Sequence, residues 1–263
     1  MFYSSLNIQY FIVFMFGSCI GSFLNVCIYR IPNESMSIFF PIKSKCMSCK
    51  NDIRFYDNIP ILSYFILRGK CRDCGTYISY RYPFIELITG LSGVAAFITY
   101  GSGIEFVIYF TLIASLIVIT FIDIDHFIIP DIISLPGIIF GFISSFFLYD
   151  INWTESLSGI LVGGGILFII GEIYFRIKKI EGMGGGDVKL LAMLGAFFGI
   201  KGIIFIIFIS SAMGTLAGIF SFIFSEQKIF SLKIPFGPFL SLAAIIYLFW
   251  GNKIIYWYLT ILY

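Results

Sequence analysis

Two kinds of residue in this chain are spaced for chemistry: paired cysteines, and carboxylates set beside glycines or at the ends of apolar runs. Cys46 and Cys49 form one CxxC and Cys71 and Cys74 a second, with 21 residues between the pairs. A CxxC turn aims two thiolates at one point, and two such turns complete the tetrahedral four-thiolate site of a structural zinc ion. The contexts, CMSCKN and CRDCGT, are those of metal knuckles, and Gly75 can supply a positive-φ turn after the second pair. Such a site has no open coordination position, so it is expected to hold structure and not to catalyse. Redox-active dithiols or disulfides are the competing reading of the same pairs. Cys19 and Cys27 lie inside the first apolar run and read as packing residues.

The carboxylates carry the second signal. Asp123 and Asp125 close an apolar run in TFIDIDHFIIPD, and Asp187 follows Gly184, Gly185 and Gly186 in EGMGGGDVKLL. Two carboxylates sharing a site cannot both ionise cheaply, so one proton is shared between them. One group then acts as base on a water and the other as acid, which is a solution to amide hydrolysis. The glycines are expected to open unusual backbone conformations and to let a substrate approach closely. Asp125 is two positions from Asp123, about 200° round a helix, so both cannot point into one site. For Asp125 and Asp131, helix capping or loop solvation and a supporting role both stay open. His126, the only histidine, reads as a surface residue. Glu86 and Glu172 also fall within apolar runs.

The elements that must position these residues are membrane helices. Of 263 residues, 59% are hydrophobic, 19% aromatic and only 12% charged, and the mean hydropathy is +0.97. This excludes a disordered chain, a collagen-like chain and an ordinary soluble enzyme. A net charge of +2 excludes a large basic surface for nucleic acid. Eight apolar runs are long enough, or nearly so, to cross a bilayer as helices: about 8–29, 84–100, 104–124, 132–149, 156–175, 188–200, 203–224 and 236–258. The first lacks a basic start and a small-residue cleavage site, so it is expected to remain as a helix. With eight spans, 14 of the 17 basic residues fall in loops on one side, Lys189 joins them, and Lys201 and Lys253 fall opposite. The positive-inside rule makes that side the cytoplasm and puts both termini outside. A soluble piece of about 31–81 is then cytosolic, in a reducing compartment, and too small to fold without a staple such as zinc.

With these residues in hand, the sequence resembles the type IV prepilin peptidase family over almost its whole length. GSFLNVCIYRIP at 21–32 is similar to the family's first-helix signature, and the CxxC pairs match its cytosolic zinc loop. SYRYPFIEL at 79–87 matches the segment that re-enters the membrane. FIDIDHFIIPD carries a D-x-D-x-x-x-x-P-D pattern, GMGGGDVKL the G-x-G-D signature of intramembrane aspartyl proteases, and KIPFGPFL at 233–240 a PFGP element. The resemblance implies an all-α polytopic protein: a first helix at 1–30, a four-cysteine domain at 31–82 and a seven-helix peptidase bundle at 83–263. It implies catalysis by Asp123 and Asp187, with Gly184, Gly185, Gly186 and Asp125 supporting, and zinc on Cys46, Cys49, Cys71 and Cys74. It further implies removal of a short basic leader from prepilins and pseudopilins, after a Gly, at the cytosolic face of the bacterial inner membrane. Methylation of the new amino terminus with S-adenosylmethionine is implied by the resemblance alone.

Two readings from other classes compete. A membrane thiol oxidoreductase would use the CxxC pairs and have no need of Asp187. A transporter would line an ion path with the intramembrane acids, but leaves the four cysteines and the glycine-aspartate element unexplained. Arg30, Arg81 and Glu86 are candidates for polar contacts tying the cysteine domain to the helices.

Overall fold

A computed structural model describes residues 2–33, 37, 38, 40, 44–179, 184–224 and 234–262. Lys43, Lys228 and Lys233, and Gly182 and Met183 of the glycine-rich element, lie outside the described residues. The helices are α1 (Phe2–Arg30), α2 (Leu62–Ile66), α3 (Arg81–Tyr100), α4 (Ile104–His126), α5 (Asp131–Ser144), α6 (Trp153–Lys178), α7 (Gly185–Phe224) and α8 (Gly237–Leu262), with a 3-10 turn at Phe55–Asn58. Among the described residues there are no strands, only two isolated bridges. Among the described residues, six helices are long and apolar enough to cross a membrane. Each of the eight runs expected from sequence overlaps a helix, and two of them, 188–200 and 203–224, lie in the single element α7. Gly199, at φ 62° and ψ −170°, breaks α7 into two helical segments. The fourth run is shorter than expected: α5 stops at Ser144 and the chain turns at 145–149.

The chain forms two compact units, residues 1–118 and 119–263. In the first, α1 lies against α3 with unusually close backbones. Gly17 and Gly21 are four apart, the spacing that lets membrane helices approach. A Cβ on Gly21 would come within 2.7 Å of the Glu86 Cα, and one on Gly17 within 3.0 Å of the Gly90 Cα. Asn25 on α1 then donates through its side-chain amide to the Tyr82 carbonyl at 3.2 Å, fixing where α3 starts.

In the second unit, α7 is the central element, contacting α5, α6 and α8. Leu190, Leu191, Leu194 and Ala196 on it are fully buried. Gly159 on α6 and Gly195 on α7 meet backbone to backbone, with no room for a Cβ on either. Beside them the Ser156 hydroxyl donates to the Ala196 carbonyl at 2.7 Å. In lipid there is little hydrophobic drive between helices, so close packing and such hydrogen bonds hold the pair.

A side chain at this contact must therefore separate two backbones. Gly159→Leu or Gly195→Leu is expected to cost at least the ~1–3 kcal/mol of an overpacked core. Gly165→Ala, where a Cβ meets nothing within 4 Å, is expected to leave stability unchanged. Thermal unfolding in detergent checks both.

Candidate active site and metal centre

Asp123 sits in the last turn of α4. Its side chain points inward, and the residue is only 5% exposed. Phe127 adopts φ 56° and donates its N–H to the Asp123 carbonyl at 2.9 Å, which ends the helix. Asp187 lies in the first turn of α7, where its N–H donates to the Gly184 carbonyl at 3.1 Å. Asp123 and Asp187 line the same cavity of about 1130 Å³, within the second unit. They are close enough for their charges to act on one another. Ile129, Ile234, Phe236 and Phe239 give this cavity an apolar wall.

Gly184, Gly185 and Gly186 line the cavity as well. Gly185 and Gly186 lie in the first turn of α7 and are not among the positive-φ glycines, so left-handed backbone is not what those two supply. Close approach is, at Gly186: a Cβ there would stand 2.9 Å from the Ile129 Cβ. Asp125 and His126 are exposed and are not among the lining residues, the first as expected from its position round the helix and the second as expected of a surface histidine. Glu172 is paired with Arg176 one turn on, at 2.9 Å.

Sequence reasoning missed the closest partner of Asp123. The Gly237 N–H, at the start of α8, donates to Asp123 Oδ2 at 2.9 Å. A Cβ on Gly237 would lie 2.7 Å from that oxygen, so only glycine allows the contact. The available signal was Gly237 directly before Pro238, since proline favours the first turn of a helix and the orphan N–H groups of that turn seek acceptors. Asp131, left open from sequence, opens α5 and lines the cavity. Lys189 reaches both its carboxyl oxygens at 2.7 Å, from two residues beyond Asp187.

The four cysteines of the two CxxC pairs also converge, inside the first unit. Their sulfurs lie within 4.8 Å of one another, with Cys46 and Cys74 3.8 Å apart. Zinc–sulfur bonds of about 2.3 Å in a tetrahedron put sulfurs about 3.8 Å apart, so the cluster is compatible with a zinc site. The two knuckles repeat one design. Cys46 N–H donates to the Asn51 carbonyl and Cys71 N–H to the Thr76 carbonyl, at 2.9 and 2.8 Å. Lys50 and Gly75 take the positive φ, 62° and 70°, that completes each turn. Hydrogen bonding to Thr76 lowers the Cys74 thiol to about 6, toward the thiolate form that binds metal. Arg72, beside it, makes a two-pronged contact with Asp57 at 2.6 and 2.8 Å, which holds that carboxyl below its usual range.

Two family models match this chain. Residues 15–100 match the bacterial peptidase A24 N-terminal domain, and residues 110–219 match the type IV leader peptidase family. The chain belongs to the type IV leader peptidase family. It is 36% identical to the prepilin leader peptidase/N-methyltransferase of Aeromonas hydrophila, over 95% of this chain and 93% of that protein. The protein of the same name from Pseudomonas putida is 33% identical, over 90% and 89% of the two chains. That of Myxococcus xanthus is 38% identical over 80% and 62%. No solved structure matches significantly. With its apolar helices and bacterial relatives, the chain is a multi-pass membrane enzyme of a bacterial kind, which sets aside the oxidoreductase and transporter readings.

The Asp131–Lys189 pair is half in water, with side chains 55% and 39% exposed. Its coupling in a double-mutant cycle of Asp131→Asn and Lys189→Met, read by thermal unfolding, is therefore expected to be ~0–1 kcal/mol. A much larger coupling would mean the pair is closed off from solvent.

Proposed function

We propose that this chain is a membrane-embedded aspartyl endopeptidase that removes the short basic leader from prepilins and pseudopilins. The observation that carries the reading is that Asp123 and Asp187, from α4 and α7, share one cavity wall. In this mechanism a water molecule lies between the two carboxyl groups. The ionised one takes a proton from that water as its oxygen attacks the scissile carbonyl carbon. The protonated one hydrogen-bonds to the carbonyl oxygen as negative charge gathers there. The carbon–nitrogen bond then breaks as the leaving amine takes a proton. Gly237 contributes by occupying one oxygen of Asp123, so that the carboxyl keeps a fixed orientation. The apolar wall excludes bulk water and suits the apolar start of a mature pilin.

In this reading residues 1–30 are the first membrane helix, 31–82 a cytosolic zinc domain and 83–263 the peptidase bundle. The basic loops face the cytoplasm of the inner membrane, the termini face outward, and cleavage occurs at the cytosolic surface after a Gly. Gly184, Gly185, Gly186 and Asp125 support the site from its glycine-rich edge and from α4. Zinc, held by Cys46, Cys49, Cys71 and Cys74, would fix two turns that have almost no core of their own. Methylation of the new terminus is supported by the relatives' name; S-adenosylmethionine as the donor rests on the family resemblance, and neither is assigned residues.

The test is digestion of a purified prepilin in detergent, with and without the methyl donor, read by mass spectrometry of the product terminus. Cleavage with addition of one methyl group is expected from the intact protein. Asp123→Asn and Asp187→Asn are each expected to lose cleavage by several orders of magnitude, while Asp125→Asn keeps most of it. Near-normal cleavage by either of the first two variants would end the reading.

For the metal, elemental analysis is expected to find one zinc ion per chain, lost in Cys71→Ser. Retention of full zinc by that variant would remove the four-thiolate assignment.

A further inference from the structure

Glu86 is the buried acid that the proposed reaction does not use. It lies on α3 and is 8% exposed. Its Oε2 accepts the N–H of Ile61 at 2.7 Å. Ile61 holds φ 62° and ψ −53°, a conformation a β-branched residue avoids unless its surroundings impose it. The next residue, Leu62, begins α2. A hydrogen bond thus ties the start of α2 to the interior of the α1–α3 pair, five residues into α3.

Five residues of helix rise about 7.5 Å. A headgroup layer is about 5–8 Å deep on each side of the hydrocarbon. If α3 enters the bilayer at its first turn, the Glu86–Ile61 contact lies near the boundary of headgroups and acyl chains, and α2 lies there with it. The outward face of α2 fits that depth. Leu62, Phe65 and Ile66, at i, i+3 and i+4, are 52%, 69% and 71% exposed, while Ser63 between them is buried. Arg68, just beyond, is exposed, and no acid occurs between Asp57 and Asp73. Tyr80 and Phe84, at the start of α3, are 79% and 50% exposed, as aromatics are at a membrane interface.

We propose that the Leu62–Phe65–Ile66 face of α2 is seated in the headgroup–acyl boundary of an anionic leaflet, held at that depth by the Glu86–Ile61 hydrogen bond. The cysteine domain then rests on the membrane surface instead of standing free in water, with Arg68 among the lipid phosphates. This rests on the reading of α1 and α3 as membrane spans.

The experiment uses the full chain in nanodiscs containing phosphatidylglycerol with brominated acyl chains. Trp153, Trp250 and Trp257 are first changed to Phe, and single tryptophans are then placed by Phe65→Trp, Ile66→Trp, Ile98→Trp or Met47→Trp. Ile98 is exposed within α3, and Met47 is exposed on the first knuckle. Expected are strong quenching and blue-shifted emission for Phe65→Trp and Ile66→Trp, approaching the quenching of Ile98→Trp, with Met47→Trp unquenched. Quenching of Ile98→Trp alone overturns the proposal while leaving the spans intact. A blue shift at position 65 without quenching also overturns it, and points to a protein covering this face. No quenching at any position overturns the membrane spans themselves.

Discussion

A carboxyl group taken out of water must be given back its hydrogen bonds, and Asp123 makes that demand on the second unit of this chain. Leaving such a group unpaired in an apolar setting would cost several kcal/mol. The donor is the Gly237 backbone N–H, one of the groups a helix cannot satisfy internally at its own start. One contact therefore settles two needs, those of the buried acid and of the end of α8. It works only if α8 begins beside the last turn of α4 and if residue 237 has no side chain. The packing of α8 on α7, with Tyr247 between Phe198 and Phe205 at centroid distances of 5.2 and 5.3 Å, holds that start in place.

The same economy governs Asp187. Its own α7 is held to α6 by glycines that let two backbones touch, and by a serine that satisfies a carbonyl across the gap. A helix seated this closely has little freedom to slide, so the first turn of α7 has a fixed place beside the cavity. Lys189 then ties that turn to the start of α5 through Asp131. The latter bond is weak because it is wet, and it trims orientation more than it adds stability.

The chemistry of this chain was easier to read from sequence than its geometry. Both CxxC pairs announce themselves, because ligand spacing within a knuckle is local and the knuckle's turn needs only a few residues. The apolar runs also announce themselves, since nothing but a helix fits so long an apolar stretch in lipid. Even the position of Asp125 outside the cavity lining followed from helical period. What stayed hidden is long-range. Gly237 meets Asp123 from 114 residues away, and Lys189 meets Asp131 from 58. Glu86 was suspected as a tether, but its partner proved to be a backbone N–H of Ile61, a group no side-chain pattern reveals. The break in α7 was legible as the boundary between the runs at 188–200 and 203–224, though not that Gly199, one glycine among 26, makes it.

The hidden contacts of Asp123 and Glu86 have something in common: each depends on backbone, or on the absence of a side chain, more than on the identity of the partner's side chain. Membrane helices give a reason. Their surroundings offer little hydrophobic drive for association, so approach distance decides the contact, and approach distance is set by what the smallest residues omit. A polar side chain in such a setting finds its partner in whatever backbone group the packing leaves over, at a helix start or a strained turn. Asp123 and Glu86 both do this, in separate units and on different helices. In the first case the held carboxyl faces a cavity and is available for chemistry. In the second it is enclosed between α1 and α3 and serves only to hold another segment. Whether a buried acid here works on a substrate or on the fold is decided by what lies on its free side.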